Sequence, residues 1–299
     1  MPAKSGAKAT RPLIAEARRS FHAALLGSIL TRDSSGIVSI ADSNSNASKA
    51  IADGILKRLG KSSQNARLQG QMSGSKFEKI VAEYIEAIFP QLQTLRPGKF
   101  SVGNKADQSG ARKGRVIAEF EQYSHLASLK EAAEADPTIA VAIGQDYLIK
   151  PDVTIFRETE SDARINSKHR VVDNSCATRT SIRAANNALP SLHAIISCKW
   201  TLRSDRAQNA RSEALNLIRN RKGRLPHIVV VTGEPMPGRL ASLAFGTGDI
   251  DCVYHIALDE LVATVNSLQH LEDARDTLQV MIKGKRLRDI SDLPLDLTI

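Results

Sequence analysis

Three short apolar runs with a helical period between the first two set the architecture open to this chain. Residues 192–198 pass through His193-Ala194-Ile195-Ile196 and read as a buried strand. His227-Ile228-Val229-Val230-Val231-Thr232 is a continuous β-branched run, the pattern of a strand covered on both faces. Residues 251–256, Asp251-Cys252-Val253-Tyr254-His255-Ile256, make a third strand, and 206–219 make a helix. Strand, helix, strand and strand in that order imply an α/β fold, a mixed β-sheet flanked by helices. The chain has 299 residues, 42% of them hydrophobic, enough to bury such a core. No internal repeat or Gly/Ser linker divides it. The expectation is one domain over 13–299 behind a flexible basic tail, 1–12.

Helical spacing recurs through Leu13, Ala17, Phe21, Leu25 and Ile29, predicting a helix over 13–30. Residues 31–46 are rich in Ser, Asp and Asn and predict a loop; 47–59 predict a second helix. A polar connector from Gln69 to Ser73 leads into a third. There Phe77, Ile80, Val81, Tyr84, Ile85 and Ile88 share one face, with Glu78 beside the stripe. Residues 115–135 predict another helix. Tyr147-Leu148-Ile149 and residues 152–156 look β-like, 158–185 irregular, and 258–282 mainly helical.

Charge narrows the partner. The net charge is +9, and between Ser197 and Arg224 eight basic side chains face only Asp205 and Glu213. Such a local excess is the electrostatic footprint of a polyanion, although a solvated basic face gives the same pattern. Aromatics are 4% of the chain and Trp200 is the only tryptophan, which disfavours stacking on single-stranded bases. Three cysteines without a Cys-x-x-Cys pair fit a reducing cytoplasm. The amino terminus lacks an apolar leader core, and no run approaches the ~20 apolar residues that span a bilayer, so a soluble cytoplasmic protein with no membrane partner is expected. The histidines lack zinc-ligand spacing, and Gly246-x-Gly248 reads as a turn. The cluster Lys283, Lys285, Arg286 and Arg288 could touch phosphates or simply be surface.

The chemistry concentrates around the first strand's end. Lys199 closes that strand, Arg203-x-Asp205-Arg206 follows in a turn, and Glu213 lies on the helix. Asp152, after Pro151, starts an earlier strand. Phosphodiester cleavage calls for a cation held by hard oxygen ligands, and a lysine beside the phosphate can orient water or stabilise negative charge. Arginine donates two hydrogen bonds to guanine, and aspartate accepts one from cytosine N4, so this turn can read G·C pairs in the major groove. Asp152 could equally be a turn acid, Glu213 a solvated one, and Ser204 or Asp205 a helix cap.

The run from Ser197 through Glu213 closely resembles the type II restriction endonucleases that recognise a CCGG core, within the PD-(D/E)xK superfamily. The likeness extends to Arg67-Leu68-Gln69-Gly70-Gln71 with Ser73-Gly74, to Asp152, and to residues 220–232, 246–258 and 289–297. It spans nearly the whole chain from about residue 13. The resemblance implies a restriction-endonuclease-like core cutting double-stranded DNA at a palindrome, GCCGGC, and leaving 5′-phosphate ends. Asp152, Glu213 and the backbone carbonyl of Cys198 would bind Mg²⁺, and Lys199 would be the catalytic lysine. Ser197 stands where most of the superfamily has an acid, which this family relocates to Glu213. Glu78 matches a further active-site acid. Arg203, Asp205 and Arg206 would read the inner pairs; Gln71 from the minor groove and Arg239 from the major groove would contact the outer pair. The resemblance further implies a homodimer assembling to a homotetramer, and a companion DNA methyltransferase. The main rival reading is a sequence-specific DNA-binding protein with a degenerate nuclease site; a structure-specific repair nuclease is another.

Overall fold

The computed structural model describes residues 11–60, 70–110, 112–135, 149–246 and 248–299. Its centre is a six-stranded mixed sheet: β1 (Phe100–Asn104), β2 (Val153–Arg157), β3 (Ser191–Lys199), β4 (His227–Thr232), β5 (Cys252–His255) and β6 (Leu287–Asp289). Spatial order follows chain order. β1, β2 and β3 pair antiparallel; β3 to β6 pair parallel. Ile228 to Thr232 of β4 are all buried, as the unbroken β-branched run requires for a strand with parallel neighbours on both sides. The mixed α/β architecture is the one expected.

Around the sheet lie α1 (Leu13–Leu26), α2 (Asn46–Leu59), α3 (Gly70–Ile88), α4 (His125–Ala135), α5 (Asp162–Ile165), α6 (Ser204–Asn220), α7 (Pro237–Ala244), α8 (Leu258–Ser267), α9 (Glu272–Lys283) and α10 (Leu293–Asp296). α3 turns its apolar stripe onto β1, β2 and β3, with Phe77, Val81, Ile85 and Ile88 fully buried. α1 packs on α3, and Arg18 ties it to the far sheet edge through Glu260 and Asp289 at 2.8 Å each. No helix among the described residues is long and apolar enough to cross a membrane.

Several elements depart from the sequence expectation. α1 stops at Leu26, where Gly27 caps it; Ile29 and Leu30 are buried beyond the helix end. α3 takes in Gly70 to Ser73, expected as connector; Gln69 lies outside the described residues. Over 115–135 the single helix is replaced by 3-10 turns at Ile117–Glu119 and Glu121–Tyr123 ahead of α4. The cause is tertiary. Glu121 N–H donates to the Pro190 carbonyl at 2.9 Å, Tyr123 Oη to the Leu217 carbonyl at 3.0 Å, and Phe120 and Tyr123 plug the core. Residues 258–282 divide into α8 and α9 around His270, whose φ of +61° no helix accommodates. Tyr147 and Leu148 lie outside the described residues, and Ile149 is irregular. β1, α7 and β6 were not foreseen, although Pro237 at the first turn of α7 is a recognised start signal.

Candidate active site

The β2–β3 register opens the site. Val153 pairs with Ile196 and there the β2–β3 ladder ends, while β3 runs on beside β4 as far as Lys199 opposite Thr232. The Cys198 N–H therefore has no β2 carbonyl to meet; it donates instead to Asp152 Oδ2 at 2.9 Å. Lys199 Nζ reaches the same oxygen at 3.2 Å. On the other side the turn after β1 closes in: Lys105 N–H donates to the Asp152 carbonyl at 2.9 Å, and its Nζ lies 3.7 Å from Oδ1. A β-carbon at Gly114 would sit 2.7 Å from both the Asn104 carbonyl oxygen and Lys105 Cα, so glycine is what lets the chain pass so close to that turn. Asp152 is 7% exposed, and a carboxylate so buried needs these partners.

Glu78 from α3 and Glu213 from α6 join this group. Burial pushes the Glu78 carboxyl up to about 7; Asp152 adds to that, and Lys105 and Lys199 oppose it. Burial likewise raises Glu213, with Lys199 and Lys105 working against it and Asp152 with it. Burial disfavours the Lys199 ammonium, yet Asp152 and Glu213 outweigh it and leave the lysine more firmly protonated than usual. The Cys198 thiol is pushed far up by burial, with Asp152 and Glu78 adding to it, so its side chain stays neutral. Ser197 lies two residues before Lys199, hence on the same face of β3; its Oγ is buried with no protein partner.

Among the described residues no three His, Cys, Asp or Glu side chains converge closely enough to hold a metal by themselves. Oxygen donors of the kind Mg²⁺ prefers are nonetheless present: the carboxylates of Asp152 and Glu213, the Cys198 carbonyl and the unpartnered Ser197 hydroxyl. Mg²⁺ commonly takes one or two carboxylates and keeps several waters, so this set fits it.

From Lys199 a cleft of about 560 Å³ extends past Arg203, Arg206, Asn209, Glu213 and Arg239. The N-cap residue of α6 is Arg203, not Ser204 or Asp205, and the Arg203 side chain makes no cap bond. Arg203 and Asp205 are exposed, and Arg206 is half-buried with Nη1 donating to Thr201 Oγ1 at 2.9 Å. Asp205 shares the turn but does not line the cleft. Arg239, from α7, pairs through Nη2 with Asp42 of the 31–46 loop, and Nη1 is 3.8 Å from Glu234. Gln71 lies in the first turn of α3, and Ser73 and Gly74 line the cleft; the Gln71 side chain, like Arg67 and Leu68, is outside the described residues. Of the distal basic cluster, Arg286 is engaged with the Ala244 and Ile250 carbonyls and Arg288 with Asp296.

Sequence reasoning missed Lys105, Asp42 and Glu234. Little local marks them, since each has a partner from a distant part of the chain: Asp152 for Lys105, Arg239 for Asp42 and the Leu202 N–H for Glu234. The exception is Asp42, followed by Ser43 and Asn44 in a polar loop, a weak turn signal.

Comparison with known proteins adds the following. The family model described as NgoMIV restriction enzyme matches residues 21–299. The chain is 52% identical over 289 residues to the type II restriction enzyme NgoMIV of Neisseria gonorrhoeae, covering 96% of this chain and 99% of that one. A solved complex of restriction endonuclease PspGI with its substrate DNA aligns over 96% of this chain and 92% of that one, with 14% identity and a TM-score of 0.24.

Proposed function

This chain belongs to the NgoMIV restriction enzyme family and is a type II site-specific deoxyribonuclease, and from that premise we propose that it cuts double-stranded DNA at the palindrome GCCGGC, using Mg²⁺ and leaving 5′-phosphate and 3′-hydroxyl ends. The observation that carries the reading is the Asp152 carboxylate between the Lys199 and Lys105 ammoniums, at the head of a cleft lined by Arg203, Arg206 and Arg239.

Asp152, Glu213 and the Cys198 carbonyl would hold the cation, which when bound supplies a Lewis acid at the phosphoryl oxygen. The chain's own groups do the rest. Lys199, whose Nζ lies 3.2 Å from Asp152 Oδ2, would meet negative charge developing on the phosphate. Glu78, at about 7, is poised to hold or release a proton at neutral pH. Arg203 and Arg206 donate to guanine edges and Asp205 accepts from cytosine N4 at the inner pairs. Arg239 and Asp42 offer a donor and an acceptor side by side, the complement of one outer G·C pair, and Gln71 reaches it from the minor groove. A palindrome read this way needs two subunits about a two-fold axis, each reading half the site. The active form is a homodimer that pairs into a homotetramer, with residues 13–299 as one catalytic unit. It works in the cytoplasm beside a DNA methyltransferase that protects the host's own sites. A binding-only role would leave the shared environment of Asp152, Lys199, Glu213 and Glu78 without a purpose.

Two matched plasmids, one carrying GCCGGC, digested in Mg²⁺ and in EDTA, test this. Discrete fragments from that plasmid alone, and only with Mg²⁺, are expected. Cutting of both plasmids would overturn the base-reading assignment, and cutting in EDTA the metal requirement.

A further inference from the structure

Glu234 lies two residues past β4 and is 0% exposed. A carboxylate at that depth has to be satisfied from within. Its Oε2 accepts the Leu202 N–H at 2.8 Å, and its Oε1 accepts the Met236 N–H at 3.0 Å. Oε1 also lies 3.8 Å from Arg239 Nη1. Leu202 is the residue before Arg203. Met236 is the N-cap of α7, three residues before Arg239. The backbone next door is equally confined. Gly233 N–H donates to the Trp200 carbonyl at 3.3 Å. A β-carbon at Gly233 would fall 3.2 Å from that oxygen and 3.3 Å from Ile40 Cγ2, in the loop that carries Asp42. Three separate segments, around residues 40–42, 200–203 and 236–239, therefore converge on 233–234.

We propose that Glu234 is a specificity-determining positioning residue, one buried carboxylate that fixes the inner-pair reader Arg203 and the outer-pair reader Arg239 in a common register. The inference rests on the reading of those two arginines as base contacts. Its chemistry is particular to a carboxylate. Each oxygen serves a different N–H, and a side chain that is acceptor-only can satisfy both. Glutamine would turn an NH₂ group against one of the two donors. Because both readers hang from the same group, disturbing it misplaces both, whereas cutting the Met236 bond alone misplaces only Arg239.

The test compares Glu234→Gln, Met236→Pro and Arg239→Ala with the parent, each as the full chain with a recorded melting curve. Cleavage rates are taken at GCCGGC, at sites changed in the outer pair, and at sites changed in the inner pairs. Met236 has φ −89°, near the proline range, so Met236→Pro deletes one donor while Glu234 keeps its charge and its bond to Leu202. Glu234→Gln is expected to lose about ten- to a hundredfold of discrimination at both positions, and Met236→Pro a similar factor at the outer pair alone. A purely structural glutamate would lower the melting temperature and slow all sites in parallel, leaving the ratios unchanged. Unchanged ratios in both variants overturn the proposal; if Glu234→Gln does not fold, Met236→Pro decides it. Arg239→Ala separates the two levels. If it loses outer-pair discrimination while the other variants keep theirs, only the role of Glu234 fails. If it discriminates normally, the assignment of Arg239 fails and the proposal falls with it.

Discussion

The edge proposed for catalysis and the wall proposed for base reading adjoin one cleft but are built differently. Cys198 and Lys199 end β3, and Asp152 directly precedes the adjacent β2, so the β2–β3 register sets their spacing. They are buried or nearly so, and the Asp152 charge bears on the protonation of both Cys198 and Lys199. Arg203, Asp205, Arg206 and Arg239 come instead from helix starts and a turn, and are exposed or half-exposed. Phosphoryl chemistry tolerates little displacement, so it belongs on strands locked by a hydrogen-bond ladder. Base edges have to be reached across solvent, so their readers need exposure, and their precision must come from an anchor behind them. Glu234 is that anchor here.

The comparison breaks most visibly at Lys199. Lys199→Ala is expected to lower cleavage by at least about 10²–10³-fold, the effect of removing one donor to a developing oxyanion, while specific binding in Ca²⁺ persists. A mobility shift beside a cleavage time course checks both, and a normal cutting rate would remove Lys199 from the chemistry. Asp205→Ala should do the opposite, costing roughly 1–3 kcal/mol of base discrimination per half-site. Competition binding of CCGG against mismatched duplexes measures it, and an unchanged preference means that Asp205 reads no base.

Glu78 sharpens the contrast through pH. Its folded carboxyl sits at about 7, above the ordinary 4.5, so the native state holds an extra proton between those values. Its contribution to stability is full below about 4.5 and is lost as pH rises through about 7. Glu78→Gln should therefore be more stable than the parent at pH 8, by about 1–2 kcal/mol after allowing for solvent screening, with the advantage vanishing below pH 4.5. Urea midpoints at the two pH values test this; an advantage equal at both would mean that the site exerts no such strain. The smallest effect is expected at Lys105, whose side chain is 48% exposed. Lys105→Met should slow cleavage roughly twofold to fivefold, the range of a half-exposed ion pair. A loss as large as that of Lys199→Ala would place Lys105 on the phosphate itself.

Much of this was legible in the sequence because it is local. A β-branched run needs no distant partner to be a buried strand, and β3, β4, β5 and α6 lie where the runs and period put them. The stretch from Ser197 to Glu213 spans one strand, one turn and one helix, so its residues meet whatever the rest of the chain does. Three things were decided only by folding. Residues 115–135 had the period of a helix, but bonds to Pro190 and Leu217 drew them into turns that seat Phe120 and Tyr123. Lys105 met Asp152 across 47 positions because β1 pairs with β2, and Asp42 met Arg239 across 197 because the 31–46 loop lies against the start of α7. Glu234 became an anchor because the end of β4 runs beneath the turn that follows β3. Periodicity records which face of an element is buried; it carries no record of which charged side chain waits on the other side of the core.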